Sequence, residues 1–246
     1  MITEVTGFVI SEIDYGETSK IINILTKEYG VIGVIAKGAR VIKSPLRSTT
    51  TKLTYAKFFI KYNEDKLSIL TNVDIINSLK NIKTDIEKIS FVSYLLELAS
   101  QVDKHSNLYE EIYNLLEASI LKIEENFDPL VITNILELKY LDYLGVMPIL
   151  DSCSVCGTTT SIATLSASLG GYVCNNCLKN EKIVSEKTIK LIRMFYYVDI
   201  SKIDKLDIRE SIKLEINDFL DEYYDRYTGL YLKTKQFIKD IKNYKD

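Results

Sequence analysis

The four cysteines are the residues of this chain best suited to chemistry, because all of them fall into two Cys-x-x-Cys pairs. Cys153 and Cys156 form the first pair, Cys174 and Cys177 form the second, and 17 residues separate the pairs. This spacing is typical of four-cysteine zinc sites. Each pair brackets a tight turn that can present two sulfur atoms on one side, so two such turns complete a tetrahedron with Zn–S distances of about 2.3 Å. The pattern predicts one structural Zn2+ ion in each chain.

Two other uses of the cysteines fit the sequence less well. Two disulfide bonds are the main alternative, but the start of the chain lacks the basic and apolar regions of a secretory signal. A catalytic zinc keeps one position for water, whereas four thiolates close the coordination shell. The single histidine, His105, does not begin the H-x-E motif of nucleobase deaminases. We therefore expect a structural metal in a protein that is not an enzyme.

A second chemical signal is a stretch without acidic residues, from Tyr29 to Asn63, in a chain whose net charge is -3. A local excess of positive charge is typical of nucleic-acid binders, because neutralising phosphates releases condensed counterions. A solvated basic surface with no partner is the alternative. Because the chain as a whole is acidic, any nucleic-acid binding must come from this patch. Its cations are Lys37, Arg40, Lys43, Arg47, Lys52, Lys57 and Lys61.

The elements that would position these cations are short strands. Residues 1–80 contain five segments rich in Ile, Val, Thr, Tyr and Phe, with Gly, Asn, Asp and Ser between them. They predict a small OB-fold barrel, whose open face and loops bind oligonucleotides, with Gly38 to Thr51 as the long connection after the third strand. The predicted strands are Val5–Ile10, Ile21–Thr26, Val31–Ala36, Leu53–Lys61 and Leu67–Val73.

The elements around the cysteines are helical. Thr84-Asp-Ile-Glu87 has the form of a capping box, and Asp128-Pro129 predicts a helix that ends at Gly145 and Pro148. Further helices are predicted over Leu108–Ile123, Lys187–Tyr197, Asp207–Tyr227 and Tyr231–Tyr244. The fold class is α+β and multi-domain: an OB-fold DNA-binding domain at 1–80, a helical domain at 81–150 and 184–246, and an inserted four-cysteine zinc module at 151–183.

The composition agrees with a globular protein that has a proper core. Apolar residues make up 46% of the chain and charged residues 26%. No apolar run is long enough to cross a membrane. We expect a soluble, cytoplasmic protein with no membrane partner.

Several short motifs follow one another in a specific order. They are Asp14-Tyr-Gly-Glu17, Thr26-Lys-Glu-Tyr-Gly30, Ala36-Lys-Gly-Ala-Arg40, Lys43-Ser-Pro-Leu-Arg47, Leu136-Glu-Leu-Lys-Tyr-Leu-Asp-Tyr-Leu-Gly145, Pro148, Cys153-x-x-Cys156-Gly157 and Gly170-Gly-x-x-Cys174-x-x-Cys177. In this order they resemble the RecO family of bacterial recombination mediators. The resemblance covers essentially the whole chain.

This resemblance implies an OB fold, a helical domain and a small zinc module. It also implies a nucleoid-associated protein that binds single- and double-stranded DNA, anneals complementary strands and works with RecR. RecO proteins bind the acidic C-terminal tail of the single-stranded-DNA-binding protein and so help to load RecA. The tail pocket lies in the helical domain and needs cations, but the segment from Asn134 to Lys139 offers only Lys139. Matching motifs assign DNA contacts to Lys37, Arg40, Lys43 and Arg47, and proximity to the barrel loops adds Lys20 and Lys52.

Two questions stay open at the level of sequence. A zinc-containing protein–protein adaptor without DNA affinity of its own is the alternative function, and it predicts partner binding without salt-sensitive DNA binding. The strand aromatics could stack on bases or fill the barrel core. These aromatics are Tyr15, Tyr29, Tyr55, Phe58, Phe59 and Tyr62.

Overall fold

The computed structural model describes residues 1–105, 108–236 and 238, and it begins with a closed barrel of five strands. The strand order is β1-β2-β3-β5-β4, and β1 pairs with β4 to close the barrel. Within the barrel, β3 and β5 pair in parallel and the other neighbouring strands pair antiparallel. This is a five-stranded Greek-key barrel of the OB-fold type, so the predicted fold class is confirmed. The strands are β1 (Thr3–Tyr15), β2 (Ser19–Thr26), β3 (Gly30–Ala36), β4 (Tyr55–Lys61) and β5 (Ser68–Asn77).

Alternation along the strands fills the barrel interior. Ile22 and Ile24 on β2 and Val34 on β3 are fully buried in the barrel core, while the intervening side chains face outward. Strand β1 continues to Tyr15, beyond the predicted end, because its polar end pairs with the start of β2. Strand β4 begins later than predicted, because Leu53 has a left-handed backbone with a φ of 65°.

The helices follow the barrel. They are α1 (Leu46–Thr49), α2 (Lys80–Lys83), α3 (Ile86–Asp103), α4 (Tyr109–Glu124), α5 (Pro129–Tyr143), α6 (Glu186–Tyr197) and α7 (Glu210–Tyr227), with a 3-10 turn at Ile200–Lys202. A hairpin of β6 (Ile162–Ser166) and β7 (Gly171–Cys174) lies between α5 and α6. None of the described helices has both the length and the apolar character needed to span a bilayer.

The helix caps agree with the sequence at one position and differ at another. Asp128 caps α5 by accepting the N–H groups of Leu130 and Val131, as predicted. The predicted capping box at Thr84 is wrong by one residue. Asp85 caps α3 instead, because the Thr84 hydroxyl donates back to the carbonyl of Lys80.

The chain divides into two compact units. Residues 1–117, together with the described residues from Leu232 onward, form the first unit, which contains the barrel and α3. Residues 118–231 form the second unit, which contains α5, α6, α7 and the cysteine segment. Residues 233–236 are helical, and most of the remainder of the predicted helix Tyr231–Tyr244 lies outside the described residues. The predicted domain boundaries at 80, 150 and 183 stay predictions.

Candidate nucleic-acid interface and metal site

Four of the predicted DNA contacts are exposed cations. Lys37 and Lys43 lie on the loop after β3, Arg47 lies on α1, and Lys52 lies on the following connection. Within the part of the chain that the structure describes, none of these four side chains has a carboxylate at ion-pair distance. Their charge is therefore available to an external anion.

The other two predicted contacts are already ion-paired. Arg40 places Nη2 3.2 Å from Oδ2 of Asp14, and its Nη1 donates to the carbonyl of Gly16 at 3.0 Å. Lys20 donates to Glu12, and its side chain is only 14% exposed. Both side chains thus stabilise the β1–β2 hairpin.

Lys57 is also positively charged but ion-paired, so its charge is not free to bind an external anion. It lies within the acid-free stretch, but it is exposed beside Glu4, with Nζ 2.8 Å from Oε1. The hydrogen bond to Glu4 raises the pKa of the Lys57 ammonium. The carboxylates that pair with the cations of this stretch come from β1, which is distant in sequence, so a count of local charge does not find them.

The loop after β3 is ordered by consecutive turns. The N–H groups of Val41, Ser44 and Arg47 donate to the carbonyls of the residues three positions earlier at 3.0 to 3.2 Å. Ala39 is fully buried in the barrel core, and Leu46 packs against that core. The cations are therefore presented on a pre-organised surface, which lowers the entropy lost on binding.

The turn between β2 and β3 explains why glycine occupies position 30. Gly30 has a φ of +61°, and a Cβ there would lie 2.4 Å from Oδ2 of Asp103. That carboxylate accepts the N–H of Val31 at 3.2 Å, and burial raises the pKa of Asp103. The close packing of α3 on this turn depends on the missing side chain.

The structure separates the strand aromatics into core and surface. Tyr55 and Phe58 are buried, and Tyr55 stacks on Phe8 at a centroid distance of 4.4 Å, so of the two alternatives these two residues fill the core. Tyr29 stacks on Tyr62. Tyr15, at the end of β1, is 51% exposed and is the aromatic of this group most open to a ligand.

The four cysteine sulfurs lie together, as predicted. All four Sγ atoms are within 4.8 Å of one another, and Sγ of Cys156 is 3.6 Å from Sγ of Cys174. A tetrahedral metal with sulfur ligands at about 2.3 Å gives S···S edges of about 3.8 Å. All four cysteines are free thiols, so the structure does not contain the alternative disulfides. The cluster could hold a metal ion.

Local turns bring the sulfurs together. The Gly157 N–H donates to the carbonyl of Cys153 at 2.8 Å, and the Cys177 N–H donates to the carbonyl of Cys174 at 3.0 Å. Each Cys-x-x-Cys pair is therefore wrapped around one tight turn. Cys174 is the last residue of β7, so the hairpin fixes the position of the second turn relative to the first.

The thiols also interact electrostatically. Burial opposes ionisation of Cys153, but the backbone N–H groups of Cys156 and Cys174 stabilise its thiolate, and its pKa falls to about 6. Hydrogen bonding to Cys156, followed by burial, raises the pKa of Cys177 to about 12. Four adjacent thiolates repel one another unless a cation lies between them, which agrees with a divalent metal.

A groove between α6 and the start of α7 is a feature that the sequence did not locate. The cavity has a volume of about 360 Å³, and its apolar wall includes Leu191, Met194 and Ile212. Lys187 and Arg209 are exposed at its edge, and neither has a carboxylate at ion-pair distance among the described residues. Lys187 lies on α6 and Arg209 is the residue before α7, so no single sequence segment reveals them.

Lys139, the one cation that the segment from Asn134 to Lys139 offers for the acidic-tail pocket, makes a different contact in the structure. Its Nζ donates to the carbonyl of Tyr196 at 2.7 Å, and burial lowers the pKa of its ammonium. It therefore stabilises the packing of α5 beside α6.

Comparison with known proteins gives matches along nearly the whole chain. The family model "Recombination protein O N terminal" matches residues 1–79, and "Recombination protein O C terminal" matches residues 83–236. A DNA repair protein RecO of Listeria monocytogenes serotype 4a (strain HCC23) is 32% identical over 238 residues, covering 96% of this chain and 93% of the relative. A DNA repair protein RecO of Bacillus pumilus (strain SAFR-032) is 33% identical over 248 residues, covering 100% of this chain and 96% of the relative.

Proposed function

The chain belongs to the RecO family of DNA repair and recombination proteins, and from that membership we propose a recombination mediator that binds single- and double-stranded DNA through its barrel. The observation that carries this proposal is the group of exposed cations Lys37, Lys43, Arg47 and Lys52, which have no carboxylate at ion-pair distance in the described chain. Phosphate oxygens are the ligands that such a surface attracts.

Strand annealing follows from the same charges. Two complementary strands repel each other through their phosphates, and a surface that neutralises part of this charge lowers the free energy needed to bring them together. The protein cleaves no bond in this process, so it needs no catalytic residue. Arg40 and Lys20 contribute by holding the hairpin and the neighbouring loop in place.

An annealing assay tests the function. Complementary labelled oligonucleotides should pair faster with the protein than without it, and the acceleration should fade as salt screens the phosphate contacts. The Lys43→Glu, Arg47→Glu double variant should accelerate pairing less than the parent. Absence of both acceleration and DNA affinity at low salt would favour the protein–protein adaptor.

The proposal includes partners. With RecR, the protein would help to load RecA onto DNA covered by the single-stranded-DNA-binding protein. The α6–α7 groove suits the acidic C-terminal tail of that protein, because Lys187 and Arg209 complement carboxylates and Leu191, Met194 and Ile212 offer apolar surface.

A peptide of acidic tail sequence tests the groove. The Lys187→Ala, Arg209→Ala variant should bind this peptide more weakly than the parent. Lys182→Ala is the matched control, because Lys182 is an exposed cation of the same unit that already pairs with Asp218. Equal peptide affinity in the parent and the double variant would place the tail elsewhere.

We further propose that the metal is one structural zinc ion per chain, held by Cys153, Cys156, Cys174 and Cys177. Four thiolates leave no coordination position for water, so the ion would supply cross-linking of the two turns and no catalytic chemistry. The segment around the cysteines is polar, and metal binding would contribute to its folding free energy.

A further inference from the structure

The loop that carries the cations also exposes two large apolar side chains at its centre. Ile42 is 82% exposed and Val41 is 46% exposed, directly between Arg40 and Lys43. Among the described residues, Ile42 is the most exposed large apolar side chain after the N-terminal methionine. Contiguous exposed apolar side chains at a charged surface indicate a binding site more often than isolated ones do.

The loop presents these side chains in a defined place. The Val41 N–H donates to the carbonyl of Gly38 at 3.1 Å, and the Ser44 N–H donates to the carbonyl of Val41 at 3.0 Å. The Arg40 N–H donates to the carbonyl of Thr18 at 2.8 Å, which fastens the loop to the β1–β2 hairpin. These hydrogen bonds therefore fix the position of Val41 and Ile42 in the loop.

The charges around the pair indicate its partner. No acidic residue occurs between Tyr29 and Asn63, and Lys37, Lys43 and Arg47 are exposed without carboxylate partners in the described chain. A ligand that satisfies both features must place apolar surface within reach of closely spaced negative charges. Nucleic acid does this, because each base has an apolar face beside a phosphate.

We propose that Val41 and Ile42 form an apolar wedge that inserts between adjacent bases when the flanking cations bind the phosphates. The proposal rests on the proposed DNA binding of the same surface, and it adds a defined contact with the bases. Insertion of apolar side chains between base steps partly unstacks them. The cost of unstacking is smaller in a single strand than in a paired duplex, so the wedge favours single strands and junctions.

The wedge gives the protein a direct role in pairing. Bases that are separated by Val41 and Ile42 are held apart from their own neighbours while the cations retain the backbone. A second strand can then pair with bases that are already unstacked. The phosphate contacts supply affinity, and the apolar pair changes the conformation of the bound strand.

The Val41→Ser, Ile42→Ser double variant tests the wedge, because it removes apolar surface and leaves every cation in place. The probe is a single-stranded oligonucleotide that contains 2-aminopurine, whose fluorescence rises when its base unstacks. Ile86→Ser is the matched control, because Ile86 is an exposed isoleucine of the same unit, 59% exposed and flanked by Asp85 and Glu87.

The parent and the Ile86→Ser variant should raise the fluorescence of the probe on binding, and the double variant should lose this rise. Its affinity should fall about tenfold, because a desolvated apolar side chain contributes at least that factor. The dependence of its affinity on salt should keep the parental slope, since the phosphate contacts are unchanged.

Two results would overturn the wedge. A fluorescence rise that is equal in the parent and the double variant would assign the unstacking to other residues. Salt-dependent binding by the parent without any fluorescence rise would also exclude the wedge while leaving the proposed DNA binding intact. If the parent does not bind the probe at any salt concentration, the proposed function fails together with the wedge.

Discussion

Replacing Gly30 with alanine is expected to destabilise the barrel unit far more than replacing Gly16 does. The two glycines have nearly the same backbone, with φ of +61° and +59°, so the cost of a left-handed alanine, about 1–2 kcal/mol, is common to both. A Cβ at Gly16 meets no atom within 4 Å. A Cβ at Gly30 would lie 2.4 and 2.8 Å from the two carboxylate oxygens of Asp103 and 2.9 Å from the ring of Tyr109.

The additional cost at Gly30 has two sources. Overpacking of a close contact costs about 1–3 kcal/mol. Displacing the Asp103 carboxylate also weakens its hydrogen bond to the Val31 N–H, and loss of a hydrogen bond to a charged group costs about 1.5–3 kcal/mol. We therefore expect Gly30→Ala to be at least about 2 kcal/mol less stable than Gly16→Ala.

Urea denaturation followed by circular dichroism measures this difference. At an m-value of about 2 kcal/mol/M, the unfolding midpoint of Gly30→Ala should lie about 1 M below that of Gly16→Ala. Equal midpoints for the two variants would refute the argument that α3 packs against the turn through the missing side chain.

Two further predictions concern the cysteine cluster and the buried carboxylate. Cys174→Ser should lose the bound zinc and make residues 151–183 sensitive to protease. Asn175→Ser is the control, because it introduces the same side chain at the exposed neighbouring residue, and it should keep both the zinc and the resistance to protease. Atomic emission measures the zinc content, and full zinc in Cys174→Ser would remove Cys174 from the site. Burial raises the pKa of Asp103 above its unfolded value, so the parent loses stability as the pH rises from the unfolded pKa, about 4, through the raised pKa, and the loss is constant above it. The stability of Asp103→Asn relative to the parent should therefore increase over this range, and a difference that is constant with pH would contradict this.

Local patterns in the sequence predicted the barrel and the cysteine cluster. The ligands of the cluster occur as two short motifs, each of which closes one turn, so spacing predicts two sulfurs at each turn. The β6–β7 hairpin, which the sequence did not predict, fixes one turn relative to the other. The strands were predicted from apolar residues, but β1 extends to Tyr15 because backbone hydrogen bonding continues where the side chains are polar. At Thr84 the capping box was placed one residue early, because Asp85 competes for the same N–H groups.

Contacts between segments that are distant in the chain could not be predicted from the sequence. A count of charge in the acid-free stretch does not distinguish free cations from ion-paired ones, yet Arg40 and Lys57 pair with carboxylates on β1. The α6–α7 groove combines Lys187 of α6 with Arg209, the residue before α7. Burial also divided the strand aromatics, since the ring of Tyr55 stacks on Phe8 and its hydroxyl donates to Glu117. Each of these features depends on which elements pack together.

The salt dependence of DNA affinity tests the central claim most directly. In a complex with single-stranded DNA, each phosphate contact contributes about 0.7 to the slope of log K against log salt. The triple variant Lys37→Ala, Lys43→Ala, Arg47→Ala removes three such contacts and should therefore reduce the slope by about 2. Lys57→Ala is the control, because its charge is already neutralised by Glu4 and its slope should match that of the parent. A triple variant with the parental slope would contradict the account, because the exposed cations of the barrel would then not contact the phosphates.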